Sequence, residues 1–279
     1  MIRKKITVRL AVLILTAASG CITIKQTDHG TSPTTSTTNP DQLIASGKLF
    51  TAVWMQQSAE YKALCLQAYQ LAELRLTQIL TYQKPAKPLA IVTDIDETFL
   101  DNSPYAIHQA LQGKDFDPVS WNQWVNQANA DTIPGAYSFF NSAASQGVAV
   151  FYVTNRDQAG REATLKNLRK FNFPNADGEH LLTMSASSSK QARRDSIAEH
   201  YTIALLLGDN LTDFSALFDN HPTTQARSKA VIDHREAFGK KFIVLPNPNY
   251  GDWENAIYQY KHLNAAQKAA EFKKAGKTY

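Results

Sequence analysis

Cysteine is nearly absent from this 279-residue sequence: only Cys21 and Cys65 carry thiols, which excludes a fold held by a disulfide framework. No apolar run is long enough to span a bilayer, and the apolar stretch Leu10–Ala18 (LAVLILTAA) falls well short of that length. Histidines and cysteines are nowhere clustered as zinc ligands would be. The first twenty residues hold no acid, yet they contain four of the 29 basic residues, Arg3, Lys4, Lys5 and Arg9. Without those four, 25 basic residues face 25 acidic ones, so the formal charge of +4 belongs to that segment. The remainder is neutral, which excludes nucleic-acid binding through a bulk basic surface. What is present, 43% hydrophobic and 19% charged residues, is globular composition with enough chain for a sizeable core.

A basic start, a short apolar run and small residues give residues 1–20 the layout of a secretory signal peptide. Ser19-Gly20-Cys21 resembles a bacterial lipobox, in which Cys21 would be lipidated and become the new N-terminus. Ala18 departs from that pattern, where Leu is commonest, and a plain signal cleaved nearby is the alternative. Ile22 lacks the acid associated with inner-membrane retention, so the expected location is the outer membrane, on its periplasmic or surface face, if the source is Gram-negative. Residues 21–40, rich in Thr, Ser and Pro and without periodicity, read as the lipidated cysteine and a flexible tether. The working domain is then 41–279.

Within it, Ser58 is placed to cap a long helix over about 59–82, with apolar positions three or four apart and Lys84-Pro85 beyond its end. Cys65 lies in that pattern and reads as a small buried hydrophobe. Apolar runs at 89–92, 148–153, 204–207 and 242–245 read as strands, and 180–184 is a further candidate. Helical patterns at 134–145 and 162–171 lie between. This alternation predicts an α/β fold, a Rossmann-like parallel sheet with helices on both faces, plus a small helical cap from the insertion at about 99–133. In such sheets ligands bind at the carboxyl ends of the strands.

Those ends carry the chemistry. The first run is followed by Thr93-Asp94-Ile95-Asp96-Glu97-Thr98, two aspartates that can hold a divalent cation or divide nucleophile and acid–base work. The second is followed by Thr154-Asn155-Arg156, suited to hydrogen-bonding an oxyanion. After the third comes Gly208-Asp209-Asn210-Leu211-Thr212-Asp213-Phe214, a second acidic pair behind a glycine. Lys190 lies between the second and third. Each alone is commonplace; four in order behind strand-like runs are not.

The order resembles the four motifs of the haloacid-dehalogenase-like phosphohydrolases. The stretch Asp94–Tyr105 (DIDETFLDNSPY), with Gly208–Phe214, resembles the bacterial class C acid phosphatases, more narrowly their lipoprotein branch, over about residues 45–265. The resemblance implies that Asp94 attacks phosphorus to form an aspartyl-phosphate and that Asp96 protonates the leaving alcohol, then deprotonates water. It implies one Mg²⁺ per chain held by Asp94, the Asp96 backbone carbonyl and Asp209, with Asp213 nearby through water. Thr154, Asn155 and Lys190 would stabilise the phosphoryl oxygens; Lys190 is the best match to the third motif, with Lys166 and Arg193 as alternatives.

On the substrate side, Asp117-Pro118 is a helix start that puts Trp121 and Trp124 on one face. By the resemblance, Trp121 and Tyr250 would sandwich a nucleobase or other aromatic leaving group, with Phe116 a further contact. Trp124 and Trp253 read as core packing. The expected activity is a lipid-anchored acid phosphatase acting on phosphomonoesters, nucleoside monophosphates in particular, and a homodimer is implied by the resemblance alone. The alternatives are a non-enzymatic surface lipoprotein for adhesion or haem capture on the same fold, and a phosphotransferase sharing the aspartyl-phosphate.

Overall fold

An apolar run as unbroken as Leu89–Thr93 has to be covered on both faces, and all five of its residues are buried in the computed structural model. The structure describes residues 40–219 and 222–279. The expected signal peptide, the lipidated Cys21 and the tether up to residue 39 lie outside them.

In chain order the strands are β1 (Leu89–Thr93), β2 (Leu100–Asp101), β3 (Asp131–Thr132), β4 (Ala149–Val153), β5 (Leu181–Leu182), β6 (Thr202–Gly208) and β7 (Phe242–Val244). The helices are α1 (Pro40–Gln57), α2 (Ala59–Tyr82), α3 (Ser103–Leu111), α4 (Pro118–Gln127), α5 (Ala136–Ser145), α6 (Arg161–Lys170), α7 (Gln191–His200), α8 (Thr224–Asp233), α9 (Asp252–Ile257) and α10 (Ala265–Ala275). Five strands form one sheet in the order β5-β4-β1-β6-β7, every neighbouring pair parallel. β1 is central, with Thr93 level with Tyr152 of β4 and Leu207 of β6. The strand order reverses beside β1, the place where such sheets leave a crevice for ligands.

Alternation along β1 divides the core. Leu89 and Ile91 face a cluster with Tyr61, Cys65 and Leu76 of α2 and Phe139 and Phe140 of α5. Ala90 and Val92 face another with Ile197 of α7, Ala230 of α8, Phe214 and Phe218. Each fully buried Leu or Phe here contributes about 1.5–3 kcal/mol relative to exposure. Cys65 is fully buried, and burial pushes its thiol up to about 11, which makes it a packing residue. The Ser58 hydroxyl accepts the Tyr61 N–H at 3.0 Å and so caps α2. Residues 99–133 hold the helical insertion: α3 and α4, closed at its base by an antiparallel β2–β3 ribbon.

Some elements differ from expectation. The strand run at 180–184 pairs only at Leu181–Leu182, and the run at 242–245 ends at Val244. An entire helix, α1, precedes the one expected to come first, and Pro40, assigned to the tether, begins it. Its buried residues Ile44, Ala45, Ala52 and Met55 share one face, which packs against α3 and α10, but that face also holds Lys48 and Thr51 while Phe50 and Val53 are exposed, so apolar periodicity does not mark it. Among the described residues no helix is long and apolar enough to cross a membrane.

Candidate active site

Asp94 extends β1 past its last strand residue: its N–H still donates to the Leu207 carbonyl at 2.9 Å, which aims the side chain into the crevice between β1 and β6. The Lys190 ammonium, immediately before α7, donates to the Asp94 carboxylate and lies 2.7 Å from Asp213 Oδ1. Lys190 is only 4% exposed, so the solvated surface lysine that a polar helix usually carries is not what this residue is. β6 delivers the other two acids. It ends in Gly208, Asp209 follows, and a 3₁₀ turn over Leu211–Asp213 folds Asp213 back until its Oδ2 accepts the Asn210 N–H at 2.9 Å.

Carboxylate oxygens of Asp94, Asp209 and Asp213 lie within 4.8 Å of one another. Burial, with Asp213 and Asp96 nearby, pushes Asp94 up to about 7 even though Lys190 pulls the other way. Asp209 is raised well above the carboxylate range by burial and by the charges of Asp213 and Asp94. Lys190 is raised too, because the two aspartates outweigh its burial. Three acids share a single ammonium, leaving excess negative charge among hard oxygen donors. That donor set fits a divalent cation, which Asp94, Asp209 and Asp213 could hold.

Asp96 stands apart from this triple. Its carboxylate is gripped by Arg156, with Nη2 at 2.7 Å and Nε at 3.0 Å from Oδ1, and by Asn102 Nδ2 at 2.8 Å. Arg156 is 3% exposed, and its Nη1 donates to Thr164 Oγ1 at 3.1 Å. Its guanidinium also lies 5.8 Å from the Trp121 ring centre. A carboxyl fixed this way at the mouth of the acidic cluster is placed for proton transfer, and its side chain is otherwise engaged than as a ligand. Arg156, Asn102 and Glu97 lie within the motif stretches read from the sequence, but none was given a site role of its own there. The available signal was adjacency: Arg156 follows Thr154-Asn155, and Glu97 follows Asp96.

A cavity of about 480 Å³ opens above these groups. Asp94, Asp96, Asn155, Lys190, Asp209 and Asp213 line it, as do Phe116, Trp121 and Tyr250. Trp121 packs edge-on against Tyr105 at 5.1 Å and lies 6.2 Å from Phe116, itself 61% exposed. Thr154 is not among the lining residues. It is fully buried, and its hydroxyl accepts the Arg156 N–H at 3.1 Å, so it shapes the turn that presents Arg156. Asn155 Oδ1 accepts from Arg193 at 2.7 Å. Lys166 does not line the cavity, and Arg193 is committed to Asn155 and the Thr154 carbonyl, so of the three candidates only Lys190 meets the aspartates. Trp124 is half-buried against the core, with its Nε1 donating to Asn102 at 2.8 Å. Trp253 is a correction: it is 40% exposed and donates to the Tyr250 carbonyl at 3.0 Å, because α9 packs against α8 and α10 with Glu254 and Ala256 buried and leaves Trp253 outward.

The family model described as HAD superfamily, subfamily IIIB (acid phosphatase) matches residues 12–253. The chain belongs to that family. Its fold is that of the class C acid phosphatase from Bacillus anthracis, to which it is 37% identical, with 85% of this chain and 99% of that one covered at a TM-score of 0.81. The same protein with tungstate bound matches equally well, again with a TM-score of 0.81 and 37% identity over 85% of this chain and 99% of that one. The resemblance read from the motifs is thereby borne out at the level of family and fold. More distantly, the chain is 26% identical over 162 residues to the stem 31 kDa glycoprotein of Glycine max, covering 56% of this chain and 57% of the relative. It is 27% identical over 130 residues to acid phosphatase 1 of Solanum lycopersicum, covering 44% and 50%. The chain thus spans about half the length of the curated relatives it matches.

Proposed function

We propose that the protein is a Mg²⁺-dependent acid phosphatase that hydrolyses phosphomonoesters, nucleoside monophosphates in particular, through an aspartyl-phosphate. The observation that carries this reading is Lys190, buried between Asp94 and Asp213 and beside Asp209 where two neighbouring parallel strands end beneath an aromatic-lined cavity. An Asp94 oxygen attacks phosphorus while the leaving oxygen takes a proton from Asp96, giving the aspartyl-phosphate and a free alcohol. Water then attacks the same phosphorus, giving its proton to the ionised Asp96, and orthophosphate leaves as Asp94 is regenerated. Lys190 and Asn155 bind the phosphoryl oxygens, with Thr154 setting the turn that carries Asn155. Asp94, Asp209 and Asp213, with the Asp96 backbone carbonyl, would hold one Mg²⁺ per chain. When bound, the ion offsets the charge of phosphoryl and carboxylates brought together, and the all-oxygen donor set suits it better than zinc.

Trp121 and Tyr250 flank an aromatic leaving group in this reading, with Phe116 an outer contact. The order of basic segment, apolar run and Cys21 supports export followed by lipid anchoring, at the outer membrane of a Gram-negative cell; loss of incorporated radiolabelled palmitate in Cys21→Ser tests it. Sedimentation of the detergent-solubilised protein tests the homodimer.

The deciding assay offers the purified protein a panel of nucleoside monophosphates with and without EDTA, beside Asp94→Asn. Phosphate release that EDTA and tungstate suppress and Asp94→Asn abolishes is the expected result. No release, or an unimpaired Asp94→Asn protein, overturns the proposal. Glycerol added as acceptor separates hydrolysis from phosphoryl transfer.

A further inference from the structure

The structure assigns Glu97 a positioning role: it latches the Tyr250 ring to the acid–base residue Asp96, so that the seat for an aromatic leaving group and the proton donor are held as one unit. The inference rests on the phosphomonoesterase reading above and adds to it a residue that touches neither phosphate nor metal.

Glu97 is 1% exposed, and its backbone takes the left-handed conformation with φ of 54°, uncommon for a residue with a side chain. The turn around it explains why that conformation persists. The Glu97 N–H donates to the Leu100 carbonyl at 2.9 Å, while the N–H groups of Phe99 and Leu100 both close on the Ile95 carbonyl at 3.1 Å. The carboxylate then works in two directions. One oxygen accepts the Asn102 N–H at 2.7 Å, and the other accepts the Tyr250 hydroxyl, which arrives from a loop 153 residues away in sequence. Asn102 continues the chain, because its Nδ2 donates to Asp96 Oδ1 at 2.8 Å while its Oδ1 accepts the Trp124 indole N–H at 2.8 Å. Tyr250, Glu97, Asn102 and Asp96 are therefore hydrogen-bonded in series.

The Tyr250 loop is pinned elsewhere as well. Asn247 donates to Asp209 Oδ2 at 2.8 Å, and Asn249 donates to the Lys48 carbonyl and to Thr51 Oγ1, both at 2.8 Å. Those bonds fix the loop backbone, whereas Glu97 fixes the hydroxyl end of the ring that lines the cavity. A buried carboxyl spent on stability alone has no need to reach a side chain on the cavity wall, and an apolar residue would fill the same space more cheaply.

The test uses the full-length protein in detergent, with adenosine 5′-monophosphate as a substrate bearing a ring and glycerol 2-phosphate as one without. Wild type, Tyr250→Phe, Glu97→Gln and Glu97→Ala are compared by steady-state kinetics and by calorimetric binding. Tyr250→Phe is expected to raise KM and Kd for the nucleotide about 5- to 10-fold, the size of one net hydrogen bond, and to affect glycerol 2-phosphate less, because that substrate has no ring for Tyr250 to seat. Glu97→Ala is expected to repeat that rise and to lower kcat on both substrates, because Asn102 no longer holds Asp96 firmly. Glu97→Gln keeps an acceptor for Asn102 and should recover most of kcat. If Glu97→Ala does not fold, Tyr250→Phe decides alone, since it removes a single oxygen. Nucleotide affinity indifferent to the Tyr250 hydroxyl, or no preference of the wild type for the ring-bearing ligand, overturns the latch while leaving phosphate release intact. Nucleotide binding weakened by Tyr250→Phe without any phosphate release supports the latch and overturns the hydrolase reading instead.

Discussion

Gly208 and Asp213 are in such close apposition that a Cβ built on Gly208 would stand 2.7 Å from Asp213 Cγ, with other Asp213 atoms nearer still. No real Cβ makes such a contact, so the glycine at the end of β6 is the space into which Asp213 folds back to meet Lys190. Its substitution therefore acts on the site through sterics. Gly208→Ala should displace Asp213, lower kcat/KM by about a hundredfold, and lower Tm by several degrees, as overpacking typically costs about 1–3 kcal/mol. Activity assays and thermal melts check this; an unaltered kcat/KM would show that Asp213 need not occupy that position.

Arg156 makes a different kind of contribution, holding Asp96 through two guanidinium nitrogens while stacking beside Trp121. Lysine keeps the charge but loses the fork. Arg156→Lys should therefore reduce kcat by about 10- to 100-fold, part of the roughly 10²–10⁴ that a positioned general acid supplies. KM for a nucleotide should also rise, through the Trp121 contact. A kcat unchanged at its pH optimum would separate Asp96 orientation from Arg156.

The three-aspartate cluster predicts a thermal response to metal that requires no turnover. Adding Mg²⁺ to EDTA-treated protein should raise Tm in proportion to the logarithm of free ion, since a ligand at 100 times its Kd stabilises by about 2.7 kcal/mol. Asp209→Asn should abolish the response. Lys190→Met should lower kcat by more than about a hundredfold and yet bind the cation at least as tightly, because it removes the ammonium paired with Asp94 and Asp213.

In the wall of the same cavity, Lys268 of α10 reaches Asp115 Oδ2 at 2.6 Å, tying α10 to the segment before α4. Burial works against the Asp115 charge, but Lys48, Lys268 and the Phe116 N–H outweigh it and hold the carboxyl below its ordinary value. A depressed folded pKa stabilises the protein above the unfolded value of about 3.9 and loses that contribution as pH falls through the folded one. The Tm difference between wild type and Asp115→Asn should thus be constant near neutrality and shrink below about pH 4. A difference that grows on acidification would contradict the assignment.

How legible the fold and site were depended on whether a pattern stays within one element. β1 is buried throughout and β4 and β6 are buried over most of their length, so their apolar runs announced both strands and parallel pairing, and each aspartate directly behind a run could be placed at a strand end. α2 and its Ser58 cap were readable for the same reason. α1 was not, since its inward face includes Lys48 and Thr51 while Phe50 and Val53 point outward, which blurs the apolar pattern. Arg156 and Glu97 escaped because their meaning lies in partners remote in sequence: Asp96 is 60 residues from Arg156, and Tyr250 is 153 from Glu97. The Thr154 side chain was assigned outward on motif alone, whereas the turn it belongs to needs its hydroxyl internally.

Under the lipid anchoring proposed above, α1 also sets a boundary on how this domain could leave a membrane surface. Lys48 is paired with Glu254 beside the cavity, and Thr51 accepts from Asn249, so the helix that follows the tether is part of the wall around bound substrate. Proteolytic shedding that cuts before Pro40 would release a complete catalytic unit into solution. A cut only a few turns later, past Lys48, would release the same sheet and the same aspartates with one side of the chamber open, and the freed product would be a damaged enzyme.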